Sequence, residues 1–444
     1  MSIVVLGSVR LYFLRNSYKP AIYQSPTKKL KVSIHLPVCS EPPSIVLKTI
    51  ASLTTLSYQN FELIVVSNNT SNTKLWHPIR DKINTLDSRF KFFHQEKIEG
   101  YKAGALNFAL KKTSKDAAYI FTLDSDYELN SEGLSMAIGA IENSNVDVMQ
   151  FPQAYRNVCS NTLGMELNYK HYFDCYLSCQ QSHVMALPTG TLTVIKKEIF
   201  DNNIKWPTDS ITEDASFGID LIEQNKTIGF CNKIIGKGTM PTDPKDYKKQ
   251  FERWVFGNFQ VLHKVWKSNA ITFRHKIHLS TLLTAWLNLI GFILLLMLIA
   301  FPLLVFGISH ADLIYSIGFV GILLHCLFQF IIFRKISKHK TINSWNGFLI
   351  HLGLVEIGAF YWMNYFIKRD KPFLRTNKFL SKKSTSNTWY FLPSVLLLTS
   401  IVLYGLSHHL LATCTLIFGL QLAYAKYHKD QELTWSRFNL FKKG

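Results

Sequence analysis

Charge is missing from this sequence in long blocks. No Asp, Glu, Lys or Arg occurs from Ile277 to Ala311, from Leu313 to Phe333 or from Ser384 to Ala425. A helix crosses a hydrocarbon core with about 20 apolar residues, so these blocks argue against a wholly soluble chain. The first two read as one helix each, and the third as a pair broken near Gly405 to His409. Acidic residues are scarce as well, with Asp+Glu 30 against Lys+Arg 49 and a formal net charge of +19. Nucleic acid is one partner for such a balance. The cations, however, flank the apolar blocks, at Arg334, Lys335, Lys338 and Lys340, at Lys368 and Arg369, and at Lys426. That pattern belongs to loops facing the cytoplasm and anionic lipid. Membrane lipid is therefore an expected partner and nucleic acid is not.

Paired cysteines are also lacking. Cys39, Cys159, Cys175, Cys179, Cys231, Cys326 and Cys414 are scattered, odd in number and free of CxxC spacing. Cys175 and Cys179 have helical spacing but no His or Cys partner at zinc-like distance. Reduced thiols in a cytosolic domain follow. Met1 to Leu14 is apolar, is interrupted by Arg10 and has no small-residue cleavage site, which marks a membrane or interfacial segment and not a signal peptide. No internal repeat or low-complexity tract is present.

What is present is a run of short apolar, β-rich stretches alternating with helical patterns from Lys31 onward, the signature of an α/β domain with parallel strands. Strands are expected at Val32–Val38, Phe61–Val66, Arg89–His94, Ala118–Leu123 and Val146–Phe151, with Pro188–Ile195 a turn into a further strand. Helices are expected at Ile45–Leu56 with Ser44 as cap, from Glu99, over Leu163–Cys179, from Thr212 through Leu221, and over Tyr247–Trp266, with a loop at Gly236–Pro241. The expected organisation is a membrane or interfacial segment over 1–29, a cytoplasmic domain over 30–270, membrane and interfacial helices over 271–430 (about 277–311, 313–333, 345–367, 389–406 and 409–425), and a cytoplasmic tail over 431–444. Glu356 and His351 sit in the middle of the 345–367 segment. It reads either as a re-entrant or interfacial helix or as a span facing a polar cavity.

Four groups carry chemistry. Asp124 and Asp126 leave the carboxyl end of the Ala118–Leu123 strand, where parallel sheets open their ligand crevice. There they can hold a divalent ion and through it a diphosphate; Asp pairs also serve plain turns. Lys102 stands beside Gly104 at a helix start, a setting for phosphate or for an ordinary solvated lysine. Thr212-Glu213-Asp214 can supply a general base or a helix cap on the dipole. In Gln250-Phe251-Glu252-Arg253-Trp254, positions 250, 253 and 254 share one helical face. They can offer an amide, a guanidinium for diphosphate and an indole for a sugar ring, or form an amphipathic surface helix.

In this order, and followed by apolar segments, these groups resemble the processive family 2 glycosyltransferases, the cellulose synthase-like and hyaluronan synthase-like enzymes of bacterial β-glucan synthase type. Tyr101-Lys102-Ala103-Gly104-Ala105-Leu106-Asn107, Asp124-Ser125-Asp126, Gly190-Thr191-Leu192-Thr193, Thr212-Glu213-Asp214, Gln250-x-x-Arg253-Trp254 and Arg369 to Thr376 carry the likeness over about residues 30 to 430. The resemblance implies an α/β GT-A (nucleotide-diphospho-sugar transferase) domain plus an α-helical transmembrane region. It would be integral to the cytoplasmic (inner) membrane, with its catalytic domain in the cytoplasm. An inverting transfer from a UDP-sugar, UDP-glucose first, would elongate a β-linked polysaccharide and pass it across the membrane. Asp214 would be the base. Asp124 and Asp126 would hold Mg²⁺ or Mn²⁺. Glu41, Asn68, Lys102, Asp124, Gln250 and Arg253 would bind the donor, and Trp254 with Glu213 the acceptor. The partners implied are the nucleotide-sugar donor, the growing polysaccharide, membrane lipid and accessory export subunits.

The chain departs from the family pattern at three places. Ser67 stands where an Asp usually contacts the uracil, with Asn68 as the available substitute. Phe251 replaces a frequent basic residue. Asn202 to Trp206 keeps only the Trp of a Gly-Gly-Trp run. Two other readings remain: transfer of a single sugar to a lipid acceptor, and a non-catalytic membrane scaffold retaining the fold.

Overall fold

Strands form where β-branched and aromatic residues run together without a helical period. In the computed structural model, which describes residues 25–27, 29–178, 185–201, 204–241, 243–286, 290–338, 341–367 and 390–443, ten strands appear. They are β1 (Lys31–Val38), β2 (Phe61–Asn68), β3 (Phe90–Gln95), β4 (Ala117–Thr122), β5 (Glu128–Leu129), β6 (Val148–Gln150), β7 (Ala154–Tyr155), β8 (Thr193–Lys196), β9 (Ile228–Phe230) and β10 (Gly236–Gly238). The expected segment at 1–14, Cys179 and the 369–376 run lie outside the described residues.

Seven strands form one sheet in the order β3-β2-β1-β4-β8-β6-β9. β1, β2, β3 and β4 pair in parallel, as do β6 and β9. β8 runs antiparallel to both β4 and β6, the one reversed strand in a mostly parallel sheet. The chain leaves β6 through the Leu163–His171 helix and re-enters between β6 and β4 from the opposite end. A strand entering that way needs no same-direction crossover. Every residue of β2 is buried, because helices cover both faces. Val32, Ile34 and Leu36 of β1 are fully buried, and each such side chain contributes roughly 1.5–3 kcal/mol of burial free energy.

Several local expectations change. The first helix begins at Pro43 after Pro42, and Ser44 does not cap it; proline's fixed φ suits the first turn. Helices Thr73–Asn84 and Gly133–Glu142 were not anticipated. The aromatic helix from Leu163 is α-helical only to His171 and continues as a π-helix over Tyr172–Leu177. Residues 236–238, expected as loop, add a strand to a small three-stranded sheet with β5 and β7.

The uncharged block 277–311 is not one helix. Helix Phe273–Leu283, capped by Thr272, ends at Thr284, and a new helix runs Ile290–Val305. Leu279, Leu282 and Leu283 are buried in the core instead of lying in a span. Ala311–Ile336 is a continuous helix of 26 residues. The 345–367 segment breaks into Thr341–Gly353, Val355–Phe360, a 3-10 turn and Asn364–Ile367. Its longest piece has 13 residues, too few for a straight span. Glu356 there accepts from Leu392 N (2.8 Å) and pairs with Lys426 (2.5 Å). The final pair is Phe391–Gly405 and His409–Lys443.

Among the described residues, Ala311–Ile336 and His409–Leu433 are long and apolar enough to cross a membrane by length and composition. On the first of these, Leu313, Ile317, Val320, Leu323 and Leu327 face outward while His325 and Gln329 are buried. That is the reverse of a helix in a water-soluble protein.

Candidate active site

The carboxyl end of β4 delivers Asp124, and its surroundings are assembled from three distant segments. Lys102, on the helix Tyr101–Lys112, places Nζ 2.6 Å from Asp124 Oδ1 and 3.7 Å from Glu213 Oε1. The same Nζ donates to the Gly190 carbonyl at 2.8 Å. Asp124 N donates to Thr191 Oγ1 at 3.0 Å. Gly190 has φ +78°, and a Cβ there would stand 2.9 Å from both Asp214 Oδ2 and Lys102 Nζ. A side chain is therefore excluded twice, by space and by backbone conformation.

The electrostatics follow from this crowding. Burial alone would lower Lys102, but Asp124, Glu213 and Asp214 outweigh it and hold the ammonium above its ordinary value. Burial first, and the neighbouring Glu213 second, push Asp214 up to about 7, against the pull of Lys102, the Ala215 amide and Arg253. Asp214 Oδ1 accepts from Ala215 N at 2.8 Å. Thr212, expected to cap this helix (Glu213–Glu223) with its side chain, makes no such bond. A carboxyl poised near neutrality can take a proton at physiological pH.

The sequence-predicted residues fall into three places. Lys102, Asp124, Glu213 and Asp214 meet, with Arg253 close enough to act on Asp214. Lys102 is engaged by carboxylates here, not solvated. Asp126 is buried beside them, within electrostatic reach of Tyr127 and Tyr155, whose side chains hydrogen-bond to each other. Glu41 is buried just past β1, and Asn68 is buried at the end of β2. Ser67 is fully buried with His94 Nδ1 3.2 Å from its hydroxyl.

Gln250 and Trp254 share a partner in Tyr169, on the Leu163–His171 helix. Tyr169 donates to Gln250 Oε1 at 2.7 Å and meets the Trp254 ring edge-on at 5.9 Å. Trp254 also packs on Trp286 at 4.9 Å, and Trp286 stacks on Tyr172 at 5.1 Å. Burial first, and the nearby Asp214 second, raise the Tyr172 phenol. An aromatic row thus leads away from the carboxylates. Tyr169, Tyr172 and Trp286 were missed because they lie outside the motifs; the density of tyrosines after Leu163 is their only sequence signal.

Asp124 and Asp126 offer oxygen donors of the type that Mg²⁺ and Mn²⁺ take. No group of three or more His, Cys, Asp or Glu suited to a metal occurs among the described residues. By donor chemistry the pair suits such an ion, and Asp124 is engaged by Lys102 in this structure.

Two family models match the chain, Glycosyl transferase family group 2 over residues 119–334 and Glycosyl transferase family 2 over residues 33–203. A probable glycosyltransferase of Sulfolobus acidocaldarius is 25% identical over 243 residues, 52% of this chain and 50% of that protein. A poly-β-1,6-N-acetyl-D-glucosamine synthase of Staphylococcus epidermidis is 25% identical over 265 residues, 58% of this chain and 62% of the synthase. The chain thus spans between half and two thirds of the length of these curated relatives. A mannosyltransferase from Pyrobaculum calidifontis, solved with GDP-Man and Mn²⁺, is 14% identical, with a TM-score of 0.53 over 81% of this chain and 98% of that one. The likeness is one of fold, and that fold is GT-A.

Proposed function

We propose, from the match to two glycosyltransferase family 2 models, that this chain is a membrane-embedded inverting hexosyltransferase. It takes a nucleotide-diphospho-sugar, UDP-glucose first, and lengthens a β-linked polysaccharide. The observation that carries the reading is the meeting of Lys102, Asp124, Glu213 and Asp214 around Gly190 at the end of β4.

The reaction forms a bond between an acceptor hydroxyl oxygen and the anomeric carbon and breaks the bond from that carbon to the diphosphate. Asp214 takes the hydroxyl proton, for which a value of about 7 suits it. Asp124 and Asp126 would hold Mg²⁺ or Mn²⁺, which supplies charge neutralisation to the leaving diphosphate. Lys102, exchanging its carboxylate contacts for phosphate, and Arg253 add positive charge to the same group. Glu41 and Asn68, at the carboxyl ends of β1 and β2, bound the nucleotide side of the crevice. Trp254 with Glu213 would face the acceptor, and Gln250, held by Tyr169, would join the groups on the donor.

Two helices suited to a membrane, with apolar residues outside and His325 and Gln329 inside, support a lipid-embedded half; the cations flanking the apolar blocks support the cytoplasmic side for the domain. The polysaccharide relative supports a polymer product over a single transfer. A donor screen on protein in lipid, covering UDP-glucose, UDP-N-acetylglucosamine and GDP-mannose, with Mg²⁺, Mn²⁺ or chelator, tests the reading. Nucleotide diphosphate released with a high-mass, glycosidase-sensitive product is expected. Product extractable only as a one-sugar lipid would overturn the polymer assignment.

A further inference from the structure

We propose that Gln150 is a positioning residue of the transfer reaction, holding the 189–193 loop in the shape that sets Lys102, Asp124 and Asp214 together. The inference rests on the reading of that loop as part of the transfer site. Gln150 ends β6 and is fully buried. A carboxamide in such a place has two N–H donors and two lone pairs to satisfy, and the structure satisfies them largely with the loop. Its Oε1 accepts from Thr189 N at 2.9 Å and from Thr193 Oγ1 at 2.7 Å. Its Nε2 donates to the Phe151 carbonyl at 2.6 Å and to the Thr191 carbonyl at 3.0 Å.

These partners bracket Gly190 on both sides. Gly190 and Leu192 both have positive φ, +78° and +52°, and for leucine that conformation costs energy unless its surroundings impose it. Gln153 adds a bond from Nε2 to the Thr189 carbonyl at 3.1 Å. The loop so held is the one whose Gly190 carbonyl accepts from Lys102, whose Thr191 hydroxyl accepts from Asp124 N, and whose Gly190 Cα backs onto Asp214. A buried glutamine is a poor way to fill an apolar sheet, since its amide must be matched at both ends. Here the match is to the loop, and no group of Gln150 touches the acids or Lys102 directly in the bonds above. It acts through the loop.

The test uses the full chain in lipid, with Gln150→Met, which keeps length and removes every side-chain bond, and the milder Thr193→Val. The readouts are nucleotide release, thermal unfolding, and hydrogen–deuterium exchange of the peptides spanning 187–193 and 117–123. With donor KM within about threefold, kcat should fall about 100-fold in Gln150→Met and about 10-fold in Thr193→Val, the scale of a small misplacement of catalytic groups. Exchange should quicken in 187–193 and not in 117–123. Unchanged loop exchange with kcat within about twofold of wild type would overturn the proposal. So would an activity loss equal to the loss of folded protein, with exchange rising evenly over the sheet. If the wild-type chain releases no nucleotide from any donor, the transfer reading fails. The exchange arm then still decides whether Gln150 orders the loop: faster exchange in 187–193 supports it, and unchanged exchange contradicts it.

Discussion

The two halves of the molecule solve opposite solvation problems. In the sheet domain apolar strands are hidden and charged groups are gathered at the strand ends, where Lys102 is held between Asp124 and Glu213. Along Ala311–Ile336 the apolar residues Leu313, Ile317, Val320, Leu323 and Leu327 face out and His325 and Gln329 face in. The first half is organised for water with a crevice in it, and the outward apolar face of the second is what the proposed lipid setting, a medium without water, would call for. The comparison teaches that the acids gathered in the crevice are answered by positive charge, Asp124 and Glu213 by Lys102. Even Glu356, amid apolar helices, has Lys426 and the Leu392 amide.

The largest effect that would break this comparison lies in the crevice. Lys102→Met removes the one ammonium shared by Asp124, Glu213 and the Gly190 carbonyl. Nucleotide release should fall by about 100-fold or more, since donors aimed at developing charge carry effects of that size; steady-state kinetics at saturating donor would read it. Gly190→Ala should act in the same range or just below, because its methyl would enter the 2.9 Å spaces beside Asp214 and Lys102. Its signature is lost turnover with the fold retained, read by circular dichroism and kinetics together.

On the other half, Val320→Lys places a charge on the outward apolar face. At about 2.5–3.5 kcal/mol for a cation at the centre of a membrane helix, it should shift protein from the membrane to the aggregated fraction, read by flotation in a lipid gradient. Retention equal to wild type would argue that this face does not meet lipid.

A pH dependence separates site from scaffold. Asp214, raised to about 7, must be ionised to act as base. Turnover should therefore decline as pH falls through about 7, and the pH–rate profile should show that limb. Stability has a different window. Burial holds His35 neutral, lowered from 6.5 to about 3. A histidine depressed in the folded state lends stability that is present above the unfolded value and lost as pH falls below it. Stability against thermal unfolding should fall below pH 6.5, by up to roughly 1.4 kcal/mol per pH unit, and His35→Gln should flatten that slope. The smallest effect is Tyr169→Phe. Losing its bond to Gln250 should cost about 0.5–1.5 kcal/mol, seen as a several-fold rise in donor KM.

The separate motifs of the site were legible because each is local in the chain. An apolar strand followed at once by Asp124 and Asp126 declares a strand exit, and the helix from Tyr101 with Lys102 follows from its own turn. The remainder depends on partners far apart in the chain. Gln150 and Thr189, Lys102 and Gly190, and Tyr169 and Gln250 are separated by 39, 88 and 81 residues, and no local pattern states such pairings. Gln150 did leave a trace, a carboxamide at the end of an apolar strand, whose need for partners could have been inferred. The block 277–311 misled for a related reason. Lack of charge marks apolar surroundings but not whether they are lipid or protein, and Leu279, Leu282 and Leu283 found protein. The reversal of β8 was invisible because a short strand reads alike in either direction.

The central claim is that Asp214 is the base of a sugar transfer. It is tested most directly by nucleotide release from a nucleotide-sugar by wild-type and Asp214→Asn protein in lipid, with donor binding measured alongside. The account predicts release by the wild type and a fall of about 1,000-fold in the variant with donor affinity nearly unchanged. Equal turnover by the two proteins would contradict it.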